Sequence, residues 1–399
     1  MIISPMVRNN IFLNAHPLGC AQELRSQIAR LKPFKNALDS SGWLTRKPEN
    51  VLIIGCSTGY GLASRSVAAF AYGASTVGFS FEKEPGPAKT ASPGWYANRT
   101  FDEEAKECGL FAVTFNMDAF SHEAKTQAIE VAKKKGITYD LIIYSLASPV
   151  RVDPDSGNMY RSVIKPIGRE YIGTTTDVFS GKLSSAHVQP ADEKEIEETV
   201  KVMGGEDWEL WISALAKANV IAKDAYTLAY SYLGPPMSWP IYRDGTIGRA
   251  KEDLERASRA IRSTYAGLGI ESFVSINKAV VTRASAVIPI IPLYVSTLFK
   301  VMKERNIHED CLDQAVRLFK DRLYTAKGNA VPIDSEGRIR LDELEMGTAV
   351  QNEVSARLSK IDESNLNELS DLEGFRSDFL RAHGFAVPGI DYSADIDPL

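Results

Sequence analysis

Three glycines, Gly55, Gly59 and Gly61, follow directly on the apolar run Val51 to Ile54 and lead into a helix-like pattern. Without Cβ atoms a backbone can turn sharply and come close to a diphosphate, and the helix opening there offers unpaired N–H groups and a positive dipole end. That is the chemistry of dinucleotide binding. A second group lies far downstream, in WPIYRDGTIGRAK, where Tyr242 offers a neutral phenolic proton and Lys251 a cation. On one continuous helix their separation would rotate by ~900° and place them on opposite faces, ~13 Å apart. They converge only if Tyr242 lies off the helix. Asp244-Gly245 supplies the break, and Thr246 is expected as the N-cap of the helix that carries Lys251.

The glycine spacing G-x-x-x-G-x-G is that of short-chain dehydrogenase/reductase folds rather than G-x-G-x-x-G. Glu82, at the end of the next strand-like run, is placed to accept hydrogen bonds from the adenosine ribose and to repel a 2′-phosphate, which favours NADH; a solvated charge at a strand end is the plainer alternative. Asp118-Ala119 and Leu146-Ala147 end two further strands, where such folds contact the adenine and the nicotinamide side; Asp118 serves equally well as a helix N-cap. The Tyr and Lys of short-chain dehydrogenases stand four residues apart, a spacing this chain lacks after its fifth strand.

The elements that must position these groups alternate. Strands are expected at 51–54, 75–82, 110–118, 139–149, 225–234 and 272–282, with helices at 61–72, 122–136, 193–218 and 246–269. This predicts an α/β fold, a doubly wound parallel sheet of Rossmann, short-chain-dehydrogenase-like type. Residues 149–190 are rich in Gly, Pro, Ser, Thr and Asp and read as a long irregular segment; the remainder from 284 reads as helical, with a small strand at 338–342. The expected division is a core over 1–285, in which 149–225 is an inserted substrate-covering segment, and a helical C-terminal region over 286–399.

Composition sets the limits. The 399 residues carry a net charge of −5, with 44% apolar and 24% charged residues, which fits a globular protein and argues against a nucleic-acid binder. Cys20, Cys56, Cys108 and Cys311 are widely separated, so neither a zinc site nor a disulfide framework is expected, and reduced thiols point to the cytoplasm. The N-terminus lacks the apolar core of a signal peptide. Residues 284–299 are the most apolar stretch, but they are short and contain Pro289 and Pro292, so a buried helix, or a wall for an acyl tail, is expected and not a membrane span. The five histidines show no pattern, and no metal is expected. Arg151, Arg161, Lys165 and Arg169 could receive phosphates or be solvated loop charges.

The blocks VRNN, NAHPLGC, GCSTGYGLASR, YSLASPVR, VKVMGGEDWELW, YSYLGP, YRDGTIGRAK and VTRASAVIPIIPLY resemble the trans-2-enoyl-CoA / enoyl-acyl-carrier-protein reductase family essentially end to end. The Tyr-x8-Lys spacing is that family's signature, and the NNIFLNAHP opening looks closer to its CoA-ester branch. The resemblance implies NADH-dependent reduction of the C2=C3 bond of an enoyl-CoA or enoyl-acyl-carrier-protein thioester. It implies that Gly55, Cys56, Ser57, Thr58, Gly59, Tyr60, Phe81, Glu82, Asp118, Ala119, Leu146, Ala147, Lys251, Val280, Val281 and Thr282 hold NADH. Tyr242 is implied as proton donor and Tyr232 as a substrate contact. A monomer is expected. No second dinucleotide fingerprint occurs in 300–399, so no flavin is expected. The competing readings are a carbonyl reductase on the same fold and a non-catalytic NADH sensor.

Overall fold

The computed structural model describes residues 1–8, 11–41, 46–282, 291–325 and 330–399. Its centre is a seven-stranded parallel sheet of β1 (Asn50–Ile54), β2 (Ser75–Ser80), β3 (Ala112–Asn116), β4 (Tyr139–Tyr144), β5 (Ile221–Ser231), β6 (Glu271–Ile276) and β7 (Arg338–Arg340), in the spatial order 7-6-5-4-1-2-3. The order reverses between β1 and β4, and the crevice at such a switch point is where this architecture takes its ligands. The chain belongs to the α/β class expected from the alternating pattern.

Residues of each central strand alternate between two buried layers. Val51, Ile53, Leu141 and Ile143 face one side, where they pack with Leu24 and Leu31 of α1 (Pro17–Ser41), Leu62 of α2 (Gly59–Ser66), Phe101 of α3 (Pro93–Glu107) and Leu318 of α9 (Cys311–Leu318). Leu52, Ile54, Ile142 and Tyr144 face the other, against α4 (His122–Lys135), α6 (Glu206–Lys217) and α7 (Thr246–Thr264). Helix α4 presents Ala124, Ala128 and Ala132, all fully buried, so it lies close on the sheet. Its ends are set locally: the Ser121 hydroxyl accepts from the Ala124 amide, and Gly136 closes the helix in the left-handed conformation.

Several expected boundaries shift. The single helix over 193–218 is two, α5 (Glu193–Met203) and α6, parted at Gly204-Gly205. The stretch read as irregular over 149–190 holds two antiparallel hairpins, Val150–Val152 with Met159–Arg161 and Tyr171–Thr176 with Leu183–Val188. Their turns are built alike, with Asp153 and Asp177 carboxylates accepting from backbone amides two and three residues on, and a left-handed glycine, Gly157 or Gly181, closing each. These strands are half exposed and carry no long apolar run, which is why composition concealed them. The C-terminal part is helical, with α8 (Ile291–Glu304), α9, α10 (Thr348–Leu358), α11 (Leu366–Leu369) and α12 (Leu372–Arg381), and it also gives β7 to the main sheet. Residues 284–290 of the apolar stretch lie outside the described residues; its remainder starts α8, which is buried from Ile291 to Phe299. Among the described residues no helix is long and apolar enough to cross a membrane.

One buried ion pair pins three elements on the α4 side. Lys125 and Asp207, 3% and 1% exposed, meet at 2.9 Å, and the Tyr144 hydroxyl donates to the other Asp207 oxygen at 3.2 Å. Burial still raises the Asp207 pKa against the pull of Lys125. Lys125→Met therefore strands a carboxylate, and the expected cost is about 3–5 kcal/mol of unfolding free energy in urea. Unchanged stability in that variant would mean the pair does not hold α4 to α6.

Candidate active site

The glycine turn works as its spacing demands. Gly55 has φ +93°, and a Cβ there would sit 2.2 Å from the Ser145 carbonyl oxygen, so only glycine lets the end of β1 press against the end of β4. A Cβ on Gly61 would lie 1.9 Å from the Gly55 oxygen, which closes the turn onto the first turn of α2. Cys56 is fully buried with its thiol toward Asn98 and Arg65, so only its backbone borders the crevice. The helix starts at Gly59 with Thr58 extended before it, leaving the first amides of α2 open to an anion.

The residues expected on the ribose and adenine side stand along the same sheet edge. Phe81 is 78% exposed just past β2. The Glu82 carboxylate accepts from the Ser57 hydroxyl at 2.7 Å, which ties it to the glycine loop, while Asn116 holds the Glu82 backbone from both sides. Asp118 is not an N-cap. Its carboxylate accepts from the Phe120 amide, and Ser121 caps α4 instead. Leu146 and Ala147 follow β4 in a loop, half-buried and exposed.

Residues 277–282, expected as strand, leave the sheet after Ile276 and pass over the glycine loop. Tyr60 anchors them, its hydroxyl lying 2.8 Å from the Lys278 carbonyl oxygen and 3.0 Å from Gln314 Oε1. A cavity of about 210 Å³ opens between the two, lined by Ser57, Thr58, Gly59, Val280, Val281 and Thr282 on one side. Residues of α1 and α12 line its other wall. A cradle of open helix amides, a turn without Cβ atoms and a carboxylate at ribose height fit a dinucleotide.

Tyr242 lies off the helix, in the turn that precedes α7, as the spacing required. The N-cap is Gly245 and not Thr246, whose hydroxyl instead accepts from the Lys165 amide and lies 2.5 Å from the Val163 carbonyl oxygen, locking the turn to the hairpin region. Among the described residues the Tyr242 hydroxyl has no hydrogen-bond partner, and burial pushes its pKa up to about 12. Its ring meets Tyr232 edge to face at 5.0 Å, and both pack in one apolar cluster with Ala279, Val281, Ile291 and Tyr294. Tyr232 donates its hydroxyl proton to Glu345 at 2.8 Å, so it has none left for a substrate oxygen. Lys251, on α7, donates to the Tyr230 carbonyl at 3.1 Å, and burial lowers its pKa to about 8. The Tyr230 ring lies tilted against Tyr60 at 5.3 Å, so the residue that holds the lysine also borders the glycine loop.

Two of the four candidate phosphate receivers are already committed. Arg151 is 1% exposed and paired to Glu206 at 2.8 Å, and Lys165 is paired to Glu195 at 2.5 Å. Arg161 and Arg169 remain exposed. Sequence reasoning missed Glu345 and Tyr294 altogether. One of three carboxylates in LDELEMG, Glu345 looks like surface charge until the fold turns it inward. The four cysteines form no disulfide, and among the described residues no cluster of His, Cys, Asp or Glu is placed to hold a metal.

Comparison with known proteins follows the same lines. Residues 2–87 match the NAD(P)H binding domain of trans-2-enoyl-CoA reductase, 89–324 the trans-2-enoyl-CoA reductase catalytic region, and 333–396 the enoyl reductase FAD binding domain. The chain is 53% identical over 397 residues to the NADH trans-2-enoyl-CoA reductase of Treponema denticola, covering 100% of this chain and 99% of that one. It is 48% identical to an NADH enoyl-acyl-carrier-protein reductase of Flavobacterium psychrophilum, covering 100% and 98%. The crystal structure of the Treponema denticola enzyme in complex with NAD superposes with a TM-score of 0.96 at 52% identity, over 99% of this chain and 98% of that one. That of the Clostridium acetobutulicum enzyme in complex with NADH gives 0.94 at 42%, over 100% and 98%.

The third match names a flavin, which the residues do not fit. The strand-to-helix connection in that segment, from Leu341 to Gly347, holds a single glycine and three carboxylates, Asp342, Glu343 and Glu345, where a diphosphate would need amides. With matches that run from its first residues to its last and a fold shared throughout, the chain belongs to the trans-2-enoyl-CoA reductase family.

Proposed function

We propose that this protein reduces the C2=C3 double bond of trans-2-enoyl thioesters with NADH, and that the CoA ester is its preferred substrate. The observation that carries the reading is Tyr242. Its ring is half-buried, its hydroxyl is protonated and unpaired among the described residues, and it stands against an apolar cluster beside the loop that borders the dinucleotide cradle. The glycine turn and Glu82 support NADH in particular, because the carboxylate held by Ser57 would repel a 2′-phosphate. Bound there, NADH supplies the hydride to Cβ of the substrate. The remaining work falls to the side chains.

As charge builds on the thioester oxygen, the Tyr242 hydroxyl is the donor aimed at it, and proton supply to Cα through this group completes the saturated product. A phenol with a pKa of about 12 stays protonated across the working range and is a donor, never a resting base. Lys251 holds the nicotinamide-side ribose, and its charge eases proton supply through Tyr242. Tyr232 contributes its ring to the substrate wall, with its hydroxyl turned away to Glu345. The apolar face of α8, with Ile291, Tyr294 and Val295 in the same cluster, supports a wall for the acyl tail.

The matching division of the chain is a core over 1–285 covered by 149–225, with 286–399 packed on it. The two hairpins support the cover, and β7 shows that the C-terminal region also completes the central sheet. Four cysteines without a disulfide support a reducing, cytoplasmic setting.

NADH absorbance tests the reading. It should fall on addition of crotonyl-CoA and stay level with a β-ketoacyl thioester; the reverse pattern makes the protein a carbonyl reductase, and no loss with either makes it a binder. Tyr242→Phe should lower kcat by about a hundredfold or more while NADH still binds. Turnover near that of the parent would remove Tyr242 from the chemistry.

The charge on Lys251 gives a pH signature. Below about 8 it is a cation, and above that it is neutral, so NADH affinity should fall as pH rises through about 8. Lys278 is also lowered to about 8 by burial, so the wild-type limb alone does not assign the group. In Lys251→Arg the cation persists, and the limb should move out of the accessible range. A limb still near pH 8 in that variant would assign it to another group.

A further inference from the structure

Glu345 sits in the turn between β7 and α10 and is completely buried. A buried carboxylate is costly unless its lone pairs are filled. Here they are filled by donors that have no obvious need of a charge. One oxygen accepts from the hydroxyls of Tyr232 at 2.8 Å and Tyr294 at 2.6 Å, and the other from the Ala279 amide at 2.6 Å. Gln351, on α10, braces the junction from behind, donating to the Glu345 carbonyl at 2.8 Å and to the Tyr294 hydroxyl oxygen at 3.1 Å. The neighbouring acids of the same turn are spent elsewhere: Asp342 pairs with Arg340, and Glu343 with Arg317 and Arg322. Asp342 is as deeply buried, but its charge is met by Arg340, whereas Glu345 is held by hydroxyls and an amide.

Two of its partners lead to the reacting groups. Tyr232 meets Tyr242 edge to face, with the rings 87° apart, and Tyr242 has no hydrogen bond of its own among the described residues to fix its ring. Ala279 opens the stretch that continues into Val280, Val281 and Thr282 on the wall of the dinucleotide cavity. One carboxylate therefore joins the support of the proton donor to the loop that borders the hydride donor. We propose that Glu345 is a positioning residue for the reduction, setting Tyr242 through Tyr232 and the 280–282 loop through Ala279. The C-terminal segment thereby serves as a wall of the active site rather than as a nucleotide site of its own. The proposal rests on the reading in which Tyr242 gives the proton.

Glu345→Gln tests it. The amide keeps one accepting oxygen but turns N–H donors toward either the Ala279 amide or the two hydroxyls, so one side of the junction is released. With crotonyl-CoA and NADH, kcat should fall about tenfold or more while the KM for crotonyl-CoA stays within about twofold. The isotope effect from NADH deuterated at the transferred position should rise as hydride transfer becomes the slow step. A purely structural role would lower the melting temperature and leave kcat and the isotope effect as in the parent, and that result overturns the proposal.

Tyr232→Phe cuts the same link from its other end. Adding Glu345→Gln to it should cost less than about threefold more in kcat, whereas full multiplication of the two losses overturns the coupling through Tyr232. Should Glu345→Gln fail to fold, Gln351→Leu loosens the brace at a partly exposed position, with an expected loss of about threefold in kcat and a raised isotope effect; parent-like values overturn the proposal. Tyr242→Phe, measured alongside, separates the two failures. If it still turns over, the functional reading is lost; if it is inactive beside a parent-like Glu345→Gln, only the positioning role is lost.

Discussion

The structure depends on a contact that a single methyl group would forbid. Where β1 ends, the backbone of Gly55 lies against the Ser145 carbonyl at the end of β4, and Gly61 folds back over Gly55. This closes the sheet at its switch point and aims the first turn of α2 into the crevice. The loop after β4, the acid after β2 and the 277–282 loop after β6 are placed around that turn. A side chain at Gly55 would push β1 from β4 and remove the cradle and the sheet edge together.

Around this turn the protein manages polarity by pairing it at depth. Lys125 with Asp207 and Arg65 with Asp102 are ion pairs with at least one partner fully buried, and each spans elements that hydrophobic packing alone would leave free to slide. The catalytic region is treated differently. Tyr242 and Lys251 are surrounded by apolar or neutral groups, and burial drives both toward their uncharged forms. A hydroxyl donor kept protonated and unpaired among the described residues is what a developing oxyanion requires.

Much of this was legible in the chain. The glycine spacing, the acid at the end of the second strand and the alternation of apolar runs with amphipathic segments identified a doubly wound nucleotide fold, because each is a local requirement that few other folds impose. The distance from Tyr242 to Lys251 already demanded a break in the helix, and Asp244-Gly245 makes one. The hairpins of 150–188 were hidden because their strands are half exposed and carry no long apolar run, and because Asp-turn-Gly segments read as loop in composition alone.

What the sequence determined by itself was therefore the set of groups and the class of fold: local spacing, turn chemistry and hydrophobic period act within a few residues and can be read in one dimension. What the tertiary structure decided was which groups are spent and which are available. Arg151 and Lys165 carry the same charge as Arg161 and Arg169, yet carboxylates from α5 and α6 take up only the first two. Tyr232 and Tyr242 are alike in the chain, but Glu345, more than a hundred residues later, accepts the hydrogen bond of one hydroxyl and leaves the other unpaired among the described residues. Such pairings depend on burial and on partners brought together by the fold, and no window of sequence contains both sides of the contact.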